Sequence, residues 1–303
     1  MAEDTVSTTS EKKKRRRRLG DRNDGRRLRS ITPMHRIQSY IMKVRADAQN
    51  EFADTLDVGK IDAYLARKKT EGYKNIGLLH VILAAYVRML SQKPGCNRFI
   101  AGQKVFARND ITAVMAVKKE MSLNSPDTMI KCVFEPTDTV VDVYEKLNAI
   151  IVQNQGLDDE SSFDTLAKVL NFTPGLLLRF LVGFLRFLDY FGLLPRALTK
   201  LSPFHGSIII TSMGSLGIPP IYHHLYDFGT LPVFFSYGKK YHKYELDREG
   251  NPVKKTYVDI KVVTDERICD GYYYASAFRT VKRYIENPDL LDTPPETVIE
   301  DID

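Results

Sequence analysis

Residues 264–271 read TDERICDG, and they join two segments of opposite character. Before them, the stretch from Tyr257 to Thr264 alternates and is rich in β-branched side chains, which predicts a long strand. After them, Ala275, Phe278, Val281 and Ile285 recur at helical spacing, so a final helix is expected to run until Pro288 stops it. The turn between holds Asp265, Glu266, Arg267 and Asp270.

Further out, strands and helices alternate without a repeat of fixed period. Strands are expected at Gly206 to Thr211 and Leu231 to Tyr237, separated by a loop rich in Gly and Pro. Upstream, strands are expected near 111–118 and 129–135, with a hairpin over Arg98 to Arg108 that turns at Gly102. Helices are expected from Ile76 to Lys93, ending at Pro94-Gly95, over 60–70, and from Val140 to about Gln153 behind a Thr137 or Asp138 cap. Thr32-Pro33 opens another helix, because Ile37, Ile41, Val44, Ala48 and Phe52 follow at spacings of three to four.

The 303 residues carry a formal charge of +6, and that excess sits at one end. Residues 1–30 hold 11 Lys or Arg against 5 acids, which leaves 33 of each sign in the remaining 273. This polar stretch offers little apolar surface to offset the entropy of ordering it, so a disordered basic arm is expected over 1–30, an acidic tail over 291–303 and a folded domain over 31–290. With 43% apolar residues, 16 Tyr and 15 Phe, that domain has enough material for a core.

Thr173 to Phe204 is unusually apolar, and residues 155–205 look like a helical insertion. Arg179, Arg186 and Asp189 interrupt it within one bilayer-spanning length, which argues against a transmembrane span. Two readings stay open for it: a core or interface helix, or an amphipathic helix on a membrane or over a greasy substrate channel.

The stretch at 264–271 resembles the signature of the chloramphenicol acetyltransferase family and of the acyltransferase core of 2-oxoacid dehydrogenase complexes. There D-H-R-x-x-D-G or H-H-x-x-x-D-G ends a strand. Asp265, Arg267, Asp270 and Gly271 are kept, and the histidine position holds Glu266. Three other stretches occur in family order: Pro94-Gly95-Cys96-Asn97 entering a hairpin, Ile210-Thr211-Ser212-Met213-Gly214 ending a strand, and the apolar Leu231 to Gly238. Each is short, but four in register make the resemblance specific. It implies an α/β fold, a two-layer α+β sandwich in which a mixed sheet carries helices on one side.

It also implies acyl transfer from coenzyme A, or from a lipoyl-type thioester, in a channel between subunits of a homotrimer. Thr211 stands where the family places the hydroxyl that stabilises the tetrahedral oxyanion, with Ser212 beside it as a substrate contact. Asp270 stands where a carboxylate locks the local geometry, often against an arginine, for which Arg36 or Arg267 are candidates; both are also candidate substrate contacts. The departure is Glu266. Imidazole titrates at about 6.5, whereas a carboxylate near 4.3 is a poor base toward a thiol near 8.5 unless burial raises it. Two outcomes follow, an acyltransferase with an altered base or a catalytically inactive trimeric scaffold.

No other histidine fits the spacing. Asp227 follows the pair His223-His224 one residue too early, and His205 begins a strand; all three are expected to be structural. No metal-ligand, phosphate-loop, zinc-protease or serine-hydrolase pattern is present. Three scattered cysteines, Cys96, Cys132 and Cys269, fit a reducing cytoplasm. The arm, through residues 12–29, suits an anionic membrane surface or another polyanion, and without interleaved aromatics it does not suit sequence-specific nucleic acid.

Overall fold

The computed structural model describes residues 17–118, 127–155 and 171–303. In chain order these form β1 (Gly25–Arg27), α1 (Pro33–Ile41), β2 (Gln49–Asp57), α2 (Gly59–Thr70), α3 (Leu78–Gln92), β3 (Arg98–Ala101), β4 (Lys104–Arg108), β5 (Ile111–Lys118) and β6 (Asp127–Phe134). They continue with α4 (Val140–Gln155), α5 (Gly175–Tyr190), α6 (Arg196–Leu201), β7 (Ile208–Ser212), β8 (Val233–Leu246), β9 (Pro252–Asp265) and α7 (Gly271–Glu286).

Six strands make one mixed sheet in the order β2-β9-β8-β7-β5-β6, with β7 parallel to both neighbours and the other pairings antiparallel. Alternation along the strands sends Ile208, Ile210, Phe235, Ile260 and Val262 to one face, where α3, α4 and α7 cover them. This is the expected mixed sheet with helices on one side. The continuously apolar α3 is buried on nearly all sides, and its first turn is tied by the Gly77 N–H, which donates to His80 Nδ1 at 3.0 Å. On the opposite face Val114, Ile209, Phe234 and Val263 pack against Leu225 and Leu231 of the loop before β8. A second sheet, β1-β4-β3, contains the expected hairpin at Gly102.

Four expectations need correction. The helix opening at Pro33 ends at Ile41, and Phe52 lies on β2, which pairs with β9 from Gln49↔Asp265 to Asp57↔Tyr257. The helical spacing was accidental: residues 49–57 satisfy their backbone groups in that ladder. Ala275 is exposed, and Ala277 takes its place in the buried stripe of α7. The strands β8 and β9 run past Tyr237 and start before Tyr257, forming a long antiparallel ribbon whose polar residues hid it from apolar patterning.

The disordered arm expected through residue 30 is overturned for residues 17–30. Gly25–Arg27 pairs with β4, and Leu28 and Arg22 are 3% and 5% exposed. The ordering comes from ion pairs that composition alone does not count: Arg22 with Asp24 and Asp189, Arg29 with Asp21, and Arg18 and Arg26 with Asp303. The end of the acidic tail packs as well, since Asp301 pairs with Arg98 and the Ile299 N–H donates to the Ser91 carbonyl. Residues 1–16 of the arm and 156–170 of the segment read as an insertion lie outside the described residues.

Helix α5 is fastened at its end, where Asp189 Oδ1 lies 2.6 Å from Arg22. Its Leu178, Leu181, Leu185 and Leu188 are half-buried, whereas Leu176, Phe180, Phe184 and Phe187 form an exposed stripe that Phe191 continues. Among the described residues no helix is long and apolar enough to cross a membrane.

Candidate active site

Strand β9 ends at Asp265, where the Glu266 N–H donates to the Ala48 carbonyl at 2.8 Å. The chain then turns and enters α7, with Asp270 as its cap: the carboxylate accepts from the Tyr273 N–H at 2.8 Å. Asp265 is fully buried. Its oxygens accept from Arg267 Nε at 2.8 Å and Nη2 at 2.7 Å, and Arg45 Nε lies 3.7 Å away. Arg267 also donates to the Met42 carbonyl, and Arg45 reaches the carbonyls of Ile100, Tyr226 and Asp227. Burial pushes the Arg45 guanidinium below its ordinary range, with Asp265 opposing that shift.

The carboxylate locked by arginine is therefore Asp265, and neither Arg267 nor Arg36 pairs with Asp270. Arg36 is exposed on α1. Glu266 is half-buried, and its carboxylate has no hydrogen-bond or ion-pair partner among the described residues.

The histidine that the fold does bring to this turn is one the sequence reading passed over. His35, on α1, has Nε2 2.6 Å from the Arg267 carbonyl. A carbonyl only accepts, so that nitrogen carries the proton. Burial holds the His35 pKa below its usual value, against the raising effect of that hydrogen bond, which favours a neutral ring. Spacing gave no signal for it, because 230 residues intervene between His35 and Glu266.

Thr211 stands near the end of β7, paired with Ser236 of β8, which pairs with Lys261 of β9. These three lie on the sheet face opposite α3 and α7, the face of Ile209 and Phe234. The Ser236 hydroxyl accepts from the Ile221 N–H, and Lys261 Nζ sits 4.6 Å from the Tyr222 ring centre. Ser212 points to the other face, paired with Tyr237 of β8 in the ladder. Level with Lys261, Thr211 is two strands from β9, and Glu266 lies five residues further along. Within one chain Thr211 and Glu266 are thus roughly 20 Å apart.

Of the remaining histidines, His80 is buried in α3, whereas His224 and His242 are exposed. His205 is buried, with Nδ1 2.8 Å from the Ser202 hydroxyl, and the His223 ring stacks on Phe234 at 4.2 Å. Among the described residues no cluster of His, Cys, Asp or Glu is arranged to hold a metal.

The chain has the chloramphenicol acetyltransferase-like fold, shared with the catalytic cores of 2-oxoacid dehydrogenase acyltransferases. A probable dihydrolipoamide acetyltransferase from Listeria monocytogenes superposes with a TM-score of 0.54 at 13% identity, covering 86% of this chain and 95% of that one. Dihydrolipoamide acetyltransferase from Azotobacter vinelandii gives 0.54 at 13% identity over 95% and 99%, and a chloramphenicol acetyltransferase gives 0.50 at 13% over 82% and 94%. No family model matches the chain, and no curated protein matches its sequence.

Proposed function

We propose that the chain is a homotrimeric acyltransferase that moves an acyl group from a coenzyme A or lipoyl-type thioester, with its active sites between copies and Glu266 in place of the usual histidine. The observation that carries this reading is the built turn at Asp265–Asp270 together with the sheet register. Thr211 and Glu266 stand at opposite ends of the β7–β8–β9 face, so a second copy has to bring them together. The catalytic mechanism of the Azotobacter acetyltransferase was investigated through a serine, a histidine and an asparagine. By the motif, their counterparts here are Thr211, Glu266 and Asp270.

In this reading the Thr211 hydroxyl donates to the oxyanion of the tetrahedral intermediate. Glu266 accepts the acceptor's proton, which requires the drier surroundings that a neighbouring copy supplies. Asp270 fixes the start of α7. Arg267 is held by Asp265 and leaves Arg36 as the arginine free to meet substrate. The exposed Lys239 and Lys254 on the β8–β9 ribbon suit the phosphates of coenzyme A.

The second reading is a non-catalytic scaffold or binding protein of the same trimeric form. It is favoured by the Glu266 carboxylate itself, half-exposed and lacking the burial that would make it a base. Calorimetry with a panel of acyl-coenzyme A thioesters, run beside an assay for released thiol, separates the two. Binding with release supports transfer, binding without release supports the scaffold, and no binding removes the coenzyme A reading. Contact with an anionic membrane is a further proposal, through the α5 stripe and the flanking Arg179 and Arg186. Co-sedimentation with anionic liposomes that persists unchanged in Phe184→Glu would remove it.

A further inference from the structure

A cavity of about 190 Å³ lies between α6 and the edge of the sheet, away from the acyl-transfer residues. Its sheet wall is at the start of β5, where the Ser207 N–H meets the Thr112 carbonyl at 2.9 Å. Thr211 is four residues further along β7, about 13 Å.

Four cations line the cavity: Arg108, Lys131, Arg196 and Lys200. Two carboxylates do also, but Asp24 is engaged by Arg22, Oδ1 to Nε at 2.8 Å and Oδ2 to Nη2 at 3.3 Å. That leaves Asp110 against four positive groups. None of the four forms an ion pair with a described residue; Arg196 and Lys200 are exposed, but for the partly buried Arg108 and Lys131 this is unusual.

Lys131 Nζ donates to the carbonyls of Thr199 at 2.8 Å and Ser202 at 3.2 Å, both neutral acceptors. Arg108 donates to the Thr230 carbonyl and hydroxyl and lies over the Phe99 ring at 4.3 Å, while its buried Nε has no partner. Both groups show the strain of this arrangement. Burial, with Arg108 adding to it, pushes the Lys131 pKa down to about 7, and burial pushes Arg108 down to about 10. Arg196 and Lys200, one helical turn apart on α6, project from the opposite wall.

We propose that this cavity is an anion site that takes a phosphoryl group between Lys131 and Arg108 on the sheet and Arg196 and Lys200 on α6. Guanidinium and ammonium groups held in a recess match a phosphate's several acceptor oxygens, and a dianion compensates the excess charge. The volume is below that of a drug-sized pocket, so the occupant is a small phosphate or the phosphorylated end of a longer molecule.

The test is calorimetric titration of the full chain with inorganic phosphate at constant ionic strength set by chloride, alongside thermal unfolding. Saturable binding in wild type that weakens at least about tenfold in Arg196→Gln/Lys200→Gln supports the site. Those two side chains are exposed, so their loss leaves the fold intact. Lys131→Met, checked first for a cooperative melt, is expected to abolish binding. Phosphate no better than chloride, or equal binding by the double variant, overturns the proposal, and acetate binding as tightly as phosphate overturns the phosphoryl assignment. Glycerol 3-phosphate separates the sources: tighter binding than phosphate marks the end of a larger ligand, weaker binding marks free phosphate. Failure here leaves the acyl-transfer reading untouched, because no thioester is present in the experiment.

Discussion

Asp265 and Arg267, two residues apart in sequence, face each other inside the turn, with Nε and Nη2 of the arginine 2.8 and 2.7 Å from the two carboxylate oxygens. The carboxylate is fully buried and a second guanidinium, that of Arg45, lies 3.7 Å away. This group fixes the direction in which the chain leaves β9, and hence where Glu266 projects.

Asp265→Asn is expected to cost roughly 3–5 kcal/mol, because it leaves two buried guanidinium groups without a counter-charge. Asp270→Ala removes a helix cap and is expected to cost only about 1 kcal/mol. Denaturant unfolding compares the two, and a larger loss from Asp270→Ala would show that the wrong aspartate has been assigned the lock.

For acyl transfer, Glu266→Gln is expected to remove turnover with little change in melting temperature, and Thr211→Ala to lower it about 100- to 1000-fold. Copies carrying each single change, unfolded and refolded together, should recover part of the activity, since the proposed trimer, when mixed, contains some interfaces with both residues intact. No recovery would place the two residues in separate sites. Glu266→His tests the rest of the site by gain of transfer to a simple thiol.

Lys131 gives the stability a pH dependence. Burial, then Arg108, lowers its pKa to about 7, with Asp24 and Asp110 opposing the shift, whereas an unfolded lysine titrates near about 10.4. Between those values only the unfolded chain holds the proton, so this group makes the fold more stable as pH rises from about 7 to about 10. In buffers free of phosphate, Lys131→Met should lack that rise, and parallel wild-type and variant curves would contradict it.

Gly229 has a φ of +86°, and a Cβ there would collide with the Phe204 carbonyl, the acceptor of the Thr230 N–H. Gly229→Ala is expected to cost at least about 1–3 kcal/mol from the left-handed backbone alone. Its effect should reach Arg108, which hydrogen-bonds Thr230, and a melt unchanged from wild type would contradict the geometry.

Local pattern determined much of this protein. The apolar run of α3, the hairpin at Gly102, the strand entering Asp265 and the helical stripe after Gly271 are each specified by period and punctuation within a few residues. The run from Asp265 to Gly271 was equally legible, because a motif is read along the chain.

Only the tertiary structure decided what depends on partners far away in sequence. Phe52 is on a strand because β9 offers it a ladder, and Arg18, Arg22 and Arg26 are ordered because carboxylates of Asp189 and Asp303 are waiting for them. Arg108, Lys131, Arg196 and Lys200 came to share one recess for the same reason, and the lock fell to Asp265 rather than Asp270 because the fold buries Asp265 and brings Arg45 against it. Charge interactions depend on distance and burial in space, and neither quantity is written in the order of residues along a chain.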